Sequence, residues 1–208
     1  GTLAGNGDRA VSYEVYAYAV DAAGNRSGTV VPISGRIDRA SVYVAAWGND
    51  GNAGGSRNPL GSLAAGVEEA VRAGKRFVRV QGDVPIGGTL RPKAALEILG
   101  GCDESWEPAA DRRSRIDVGG YAGPVFNVNG TEFVLRNLDL EAAGGKEIVI
   151  AEVTEGLFKA YGLSTHISTA GEAAFIRARD SRVELHDCSL ILTECLFARG
   201  VAAQGGQT

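Results

Sequence analysis

From residue 125 to residue 190 the chain repeats itself every 25 residues, and three copies align without a gap. Set under one another, 126–140, 151–165 and 176–190 bring like side chains into columns. Phe126, Ala151 and Ile176 align, as do Val128, Val153 and Ala178. Phe133 stands over Phe158 and Val183, Leu135 over Ala160 and Leu185, Leu138 over Leu163 and Cys188, and Leu140 over Thr165 and Leu190. Within a copy these positions lie two apart, the spacing of a strand that turns one face inward. The single step of three contains Asn137, Gly162 or Asp187. Those residue types tolerate the left-handed backbone of a sharp corner, so each copy bends there from one strand to the next. The pattern predicts a parallel β-solenoid in which each copy is a coil stacked on its neighbours.

The segments ahead of the repeat fit that plan. Strands are expected over 41–45, 77–82 and 96–99, with Leu90 between them, and over 116–118 and 124–126. Residues 100–115 read as a polar excursion. The stretch 58–74 is predicted to be the one helix, capped by Asn58 or Ser62 and ended by Gly74. Leu60, Leu63, Val67, Ala70 and Val71 would form its buried face, and its expected use is to cover the open first coil. The loop 47–56 is oxygen-rich, but Asp50 is its one carboxylate, which favours a tight turn over a calcium loop. Val201 and Ala203 continue the repeat, so a further coil begins there, and the solenoid is expected to be truncated at its C-terminal end.

Residues 1–40 read differently. Strands are expected over 12–20 and 28–35 around a turn at 21–27, followed by a linker at 36–40. Tyr13, Tyr16 and Tyr18 followed by Asp21, Gly24 and Asn25 resemble the last hairpin of bacterial immunoglobulin-like and fibronectin-like domains. The hairpin is therefore a remnant of such a domain or an N-terminal cap.

Composition narrows the function. A net charge of −4 with no run of Lys and Arg argues against nucleic acid, and no apolar stretch is long enough for membrane insertion. The 208 residues contain no Met and begin at Gly1, which reads as a processed or excised chain. Cys102, Cys188 and Cys195 lack zinc-ligand spacing. A Cys188–Cys195 disulfide would suit an exported protein.

A family resemblance rests on Val42, Tyr43 and Val44 with Gly48, Asn49, Asp50 and Gly51, then on Asn58, Pro59 and a short helix. The strand at 77–82 and the run Gly100, Gly101, Cys102, Asp103, Glu104, Ser105 and Trp106, followed by Ser114, Arg115 and Ile116, extend it. These features resemble exported bacterial proteins of the pectin-lyase-like superfamily over residues 41–203. The resemblance implies an all-β, right-handed parallel β-helix with an N-terminal capping helix over 41–208. It also implies a secreted or envelope-anchored bacterial protein with further domains in the same chain. The enzymes of that superfamily carry clustered carboxylates or a calcium-plus-arginine site, and none of those motifs stands in this sequence.

Chemistry on a stacked coil must come from outward residues 25 apart. Arg136, Tyr161 and His186 form one such column and are the candidate carbohydrate-binding residues, since aromatic faces stack on sugars. Asp139 aligns with Ser164 and Ser189, and Glu141 stands beside His166. Asn127, Glu152 and Arg177 form another column, flanked by Asn129, Thr154 and Arg179, with Glu152–Arg177 expected as a cross-strand ion pair. Glycoside hydrolysis wants two carboxylates across one cleft, and no column supplies two. No residue is assigned to catalysis, to a metal or to a cofactor. The expected function is a structural or adhesive surface scaffold contacting polysaccharide or a cell-surface glycan. The alternative is a polysaccharide lyase or glycoside hydrolase fragment whose active site lies on missing coils.

Overall fold

The architecture comes from a computed structural model, which describes residues 11–17, 20–26, 31–38, 40–109, 111–119, 123–144, 147–169 and 171–204. The backbone divides into two units, Gly1–Ala40 and Ser41–Thr208. In the first, β1 (Val11–Ala17) pairs antiparallel with β2 (Val31–Ile37), Val11 opposite Ile37 and Ala17 opposite Val31. The turn between them is held by Asp21, whose carboxylate accepts the Ala23 and Asn25 N–H groups at 2.9 and 2.8 Å. Positions 18–19 and 28–30 of the expected strands lie outside the described residues, and 36–37, expected in the linker, belong to β2.

The second unit begins with β3 (Ser41–Ala45), α1 (Leu63–Arg72), β4 (Phe77–Gln81) and β5 (Val84–Pro85). Then come β6 (Leu96–Leu99), β7 (Ser114–Gly119), β8 (Gly123–Asn129), β9 (Glu132–Arg136), β10 (Leu138–Ala143) and β11 (Glu147–Thr154). The remaining strands are β12 (Leu157–Tyr161), β13 (Ser164–Ser168), β14 (Glu172–Arg179), β15 (Arg182–His186), β16 (Ser189–Thr193) and β17 (Phe197–Gln204). They wind as a right-handed parallel β-helix with three faces. The first sheet stacks β3, β4, β6, β9, β12 and β15, the second β5, β7, β10, β13 and β16, and the third β8, β11, β14 and β17.

Register follows the 25-residue period. Phe133, Phe158 and Val183 are consecutive partners in the first sheet, and Phe126, Ala151, Ile176 and Val201 in the third. The Phe133 ring lies 5.5 Å from Phe126 and 6.3 Å from Phe158, centroid to centroid. Asn137, Gly162 and Asp187 take left-handed φ of 53°, 62° and 53°, which turns the chain from first sheet to second. A second corner at the same period went unread in the sequence. Gly130, Glu155 and Asp180, with φ of 62°, 51° and 49°, turn the chain from third sheet to first. Glu155 gave no signal there because Glu is not a residue type that marks such a corner.

The helix starts later than its sequence suggests. Leu60 lies in extended chain beside β3, its N–H donating to the Tyr43 carbonyl at 2.9 Å, so α1 begins only after Ser62. Ser62 Oγ accepts the Ala65 N–H at 3.2 Å as the N-cap, and Gly74 at φ 63° follows the last turn. Leu63, Gly66, Val67 and Ala70 are buried. A Cβ at Gly66 would come within 2.4 Å of Val44, so only glycine lets the helix approach the inward side chains of β3 this closely. The helix thus covers the first coils, as the sequence implies.

The loop expected over 47–56 is a rigid bracket. Asp50 accepts the Gly61 and Ser62 N–H groups and the Ser62 hydroxyl, each at 2.8 Å. Burial pushes the Asp50 carboxyl up, but the hydrogen bonds from Ser62 and Gly61 together outweigh it and hold the group below its ordinary value. The carboxylate is spent on fastening the start of α1 to the loop.

Candidate functional site

The first sheet carries one outward column across all six of its strands. Tyr43 pairs with Arg79, Arg79 with Leu99, Leu99 with Arg136, Arg136 with Tyr161, and Tyr161 with His186. The sequence pattern found only the last three, because the spacing before them is not 25.

Those three form a closed ladder. The Arg136 guanidinium carbon lies 4.0 Å from the Tyr161 ring centre, and the His186 ring stacks on Tyr161 at 4.8 Å with planes 4° apart. Arg136 and His186 come from strands on opposite sides of β12, so both faces of the Tyr161 ring are used. Arg136 Nε also pairs with Glu97 on β6. What the ladder offers a ligand is therefore edges, not the Tyr161 face: remaining guanidinium N–H groups, the phenol hydroxyl and the outer side of His186. Beside it runs a second ladder, in which Lys159 lies 3.0 Å from Glu132 and 3.9 Å from Glu184. The Glu132 hydrogen bond raises the Lys159 pKa.

The first half of the column is covered. Residues 100–113 leave the coil between β6 and β7, and Trp106, read as part of a polar excursion, is buried on Tyr43 with ring centres 4.8 Å apart. Arg79 is buried beneath it, donating to the Trp106 carbonyl at 2.7 Å and to Ser41 Oγ at 3.1 Å. The base of the excursion is fixed by Ser114, whose buried hydroxyl donates to the Val80 carbonyl at 2.9 Å and accepts the Gly101 N–H at 3.0 Å. Burial pushes the nearby Cys102 thiol up to about 11 despite the Arg79 charge, so it is protonated at neutral pH. Cys102, Cys188 and Cys195 are all free, with no bridge between Cys188 and Cys195.

The other outward groups sit in the expected register with different bonds. Glu152 is opposite both Asn127 and Arg177, and Thr154 is opposite Asn129 and Arg179. Among the described residues, however, Arg177 pairs with Glu147 at 2.5 Å and Glu172 at 3.8 Å, not with Glu152. The long guanidinium arm reaches along the sheet to the strand starts instead of across. Arg177, Arg179 and Arg199 line a shallow hollow of about 230 Å³ on the third sheet. Asp139, Ser164 and Ser189 align as expected. Glu141 lies opposite His166 and forms its ion pair with Arg115.

Among the described residues, no three His, Cys, Asp or Glu side chains converge as a metal site, and no helix is long and apolar enough to cross a membrane. Comparison with known proteins returned no matching family model, no matching curated protein and no matching solved structure.

Proposed function

We propose that this chain is a non-catalytic structural or adhesive scaffold of an exported bacterial envelope protein of the pectin-lyase-like type, whose outer faces contact carbohydrate. The hairpin of β1 and β2 is, in this reading, a remnant of an immunoglobulin-like domain. The observation that carries the scaffold reading is how the outward charges of the first sheet are used. Glu97, Arg136, Tyr161 and His186 are tied coil to coil, as are Glu132, Lys159 and Glu184. Side chains committed to neighbouring coils stiffen a display surface, whereas general acid–base catalysis needs a carboxyl held ready for a substrate proton. Glycan contact falls to the ladder's edges, where Arg136 and Tyr161 keep donors turned outward.

The test is incubation of the chain with uronate-containing and neutral polysaccharides, followed by binding and end-group assays. Retention on at least one of them, with no new reducing or unsaturated ends, is the expected result. Release of such ends would overturn the scaffold reading in favour of a lyase or hydrolase.

A further inference from the structure

We propose that Trp47 and the hollow beside it form a subsite for one neutral hexopyranose ring of a glycan. This rests on the carbohydrate-contact reading above and places the contact at the other end of the first sheet from the Arg136–Tyr161–His186 ladder.

Trp47 is a large apolar side chain with 60% of its surface exposed. It is also held still. Its Nε1–H donates to Gln81 Oε1 at 3.2 Å, and its ring leans on the buried Trp106, 6.4 Å away and tilted by 52°. The backbone beneath it is clamped. Gly48 N–H donates to the Ala45 carbonyl at 2.9 Å, and Asn49 N–H to the Pro59 carbonyl at 3.0 Å. The Leu60 carbonyl would lie 2.1 Å from any Cβ at position 48. An exposed indole fixed in one orientation loses little conformational entropy on binding and presents an apolar face to the C–H side of a sugar. The contrast with Tyr161, whose two faces are already stacked, is direct.

Polar groups stand next to the platform. The same Gln81 amide that accepts from Trp47 donates through Nε2 to the Asp103 carbonyl at 2.6 Å. Gln81 also lines a hollow of about 340 Å³ with Asp103, Glu104, Arg112 and Arg113. Glu104, Arg112 and Arg113 make no ion pair among the described residues, so their donors and acceptors remain for sugar hydroxyls. The side-chain charges of Asp103, Glu104, Arg112 and Arg113 around the hollow sum to zero, which favours a neutral ring over a uronate.

Affinity electrophoresis and tryptophan fluorescence with cellohexaose, mannohexaose, chitohexaose and hexagalacturonate test this. The expected result is binding of at least one neutral hexamer with a fluorescence change. Trp47→Ala should weaken that binding about tenfold, and Trp47→Tyr should retain most of it. An unchanged melting temperature for Trp47→Ala shows that the loss is not unfolding. If Arg136→Ala abolishes binding and Trp47→Ala does not, the Trp47 subsite is overturned while the carbohydrate reading stands. Preference for hexagalacturonate overturns the neutral-ring assignment. No binding to any of the four overturns the subsite, whereas the scaffold reading is judged by the wider polysaccharide panel.

Discussion

One column of outward side chains on the first sheet has two fates. From Tyr43 through Arg79 to Leu99 it is roofed by residues 100–113 and has become a second, small core with Cys102 and Trp106. From Arg136 through Tyr161 to His186 it faces outward and closes on itself by stacking. Register is the same in both halves, so what separates them is the inserted chain between β6 and β7. A buried guanidinium must be hydrogen-bonded to persist, and Arg79 is tied to Ser41 and Trp106. A partly exposed one is under less constraint, and the Arg136 side chain that pairs with Glu97 is 40% exposed.

The sharpest break of that account lies two residues from the exposed half. Leu138 is fully buried in the stack although Asn137, beside it, forms the corner. Leu138→Asp should cost about 4 kcal/mol or prevent folding, because it places an unpaired charge in the inner column. The two halves are then compared directly. Arg79→Ala should destabilise by about 3 kcal/mol, since it strips a buried carbonyl of its donor and unseats the Trp106 roof. Arg136→Ala should cost at most about 1 kcal/mol. Equal losses in denaturant unfolding would mean that the roof does not govern the column.

Within the inner stack, Thr165 stands between Leu140 and Leu190 with a buried hydroxyl that has no partner. Thr165→Val keeps the shape and removes the unpaired group, so it should stabilise by about 1 kcal/mol, read as a raised denaturation midpoint. The smallest expected effect is on pH. The Asp50 pKa is depressed in the fold, so its contribution is present above the ordinary carboxylate range and is lost as pH falls through the folded value. Stability should therefore decline below about pH 4, and Asp50→Asn should flatten part of that decline. Equal acid sensitivity in both proteins would remove Asp50 as the clamp on α1.

What could be read from sequence follows the same division. The coils after residue 125 were legible because a strict period forces inner residues into columns, and Asn137, Gly162 and Asp187 mark their own corner. Arg136, Tyr161 and His186 were legible as a column for that reason, but their closure against one another was not, since stacking depends on side-chain direction across strands. Trp106, Arg79 and Gln81 were not legible as partners. They meet only because residues 100–113 fold back over the sheet, and no local spacing encodes that. The place of Leu60 was misread because its apolar character fits a helix face and an extended edge equally well.

The central claim is that residues 25 apart lie directly over one another through the stack. The most direct measurement is solution NMR on protein with labelled Phe and Val side chains. Nuclear Overhauser contacts should run from Phe126 to Phe133, from Phe133 to Phe158 and from Phe158 to Val183. Their absence would contradict the stacked coil and every surface column built on it.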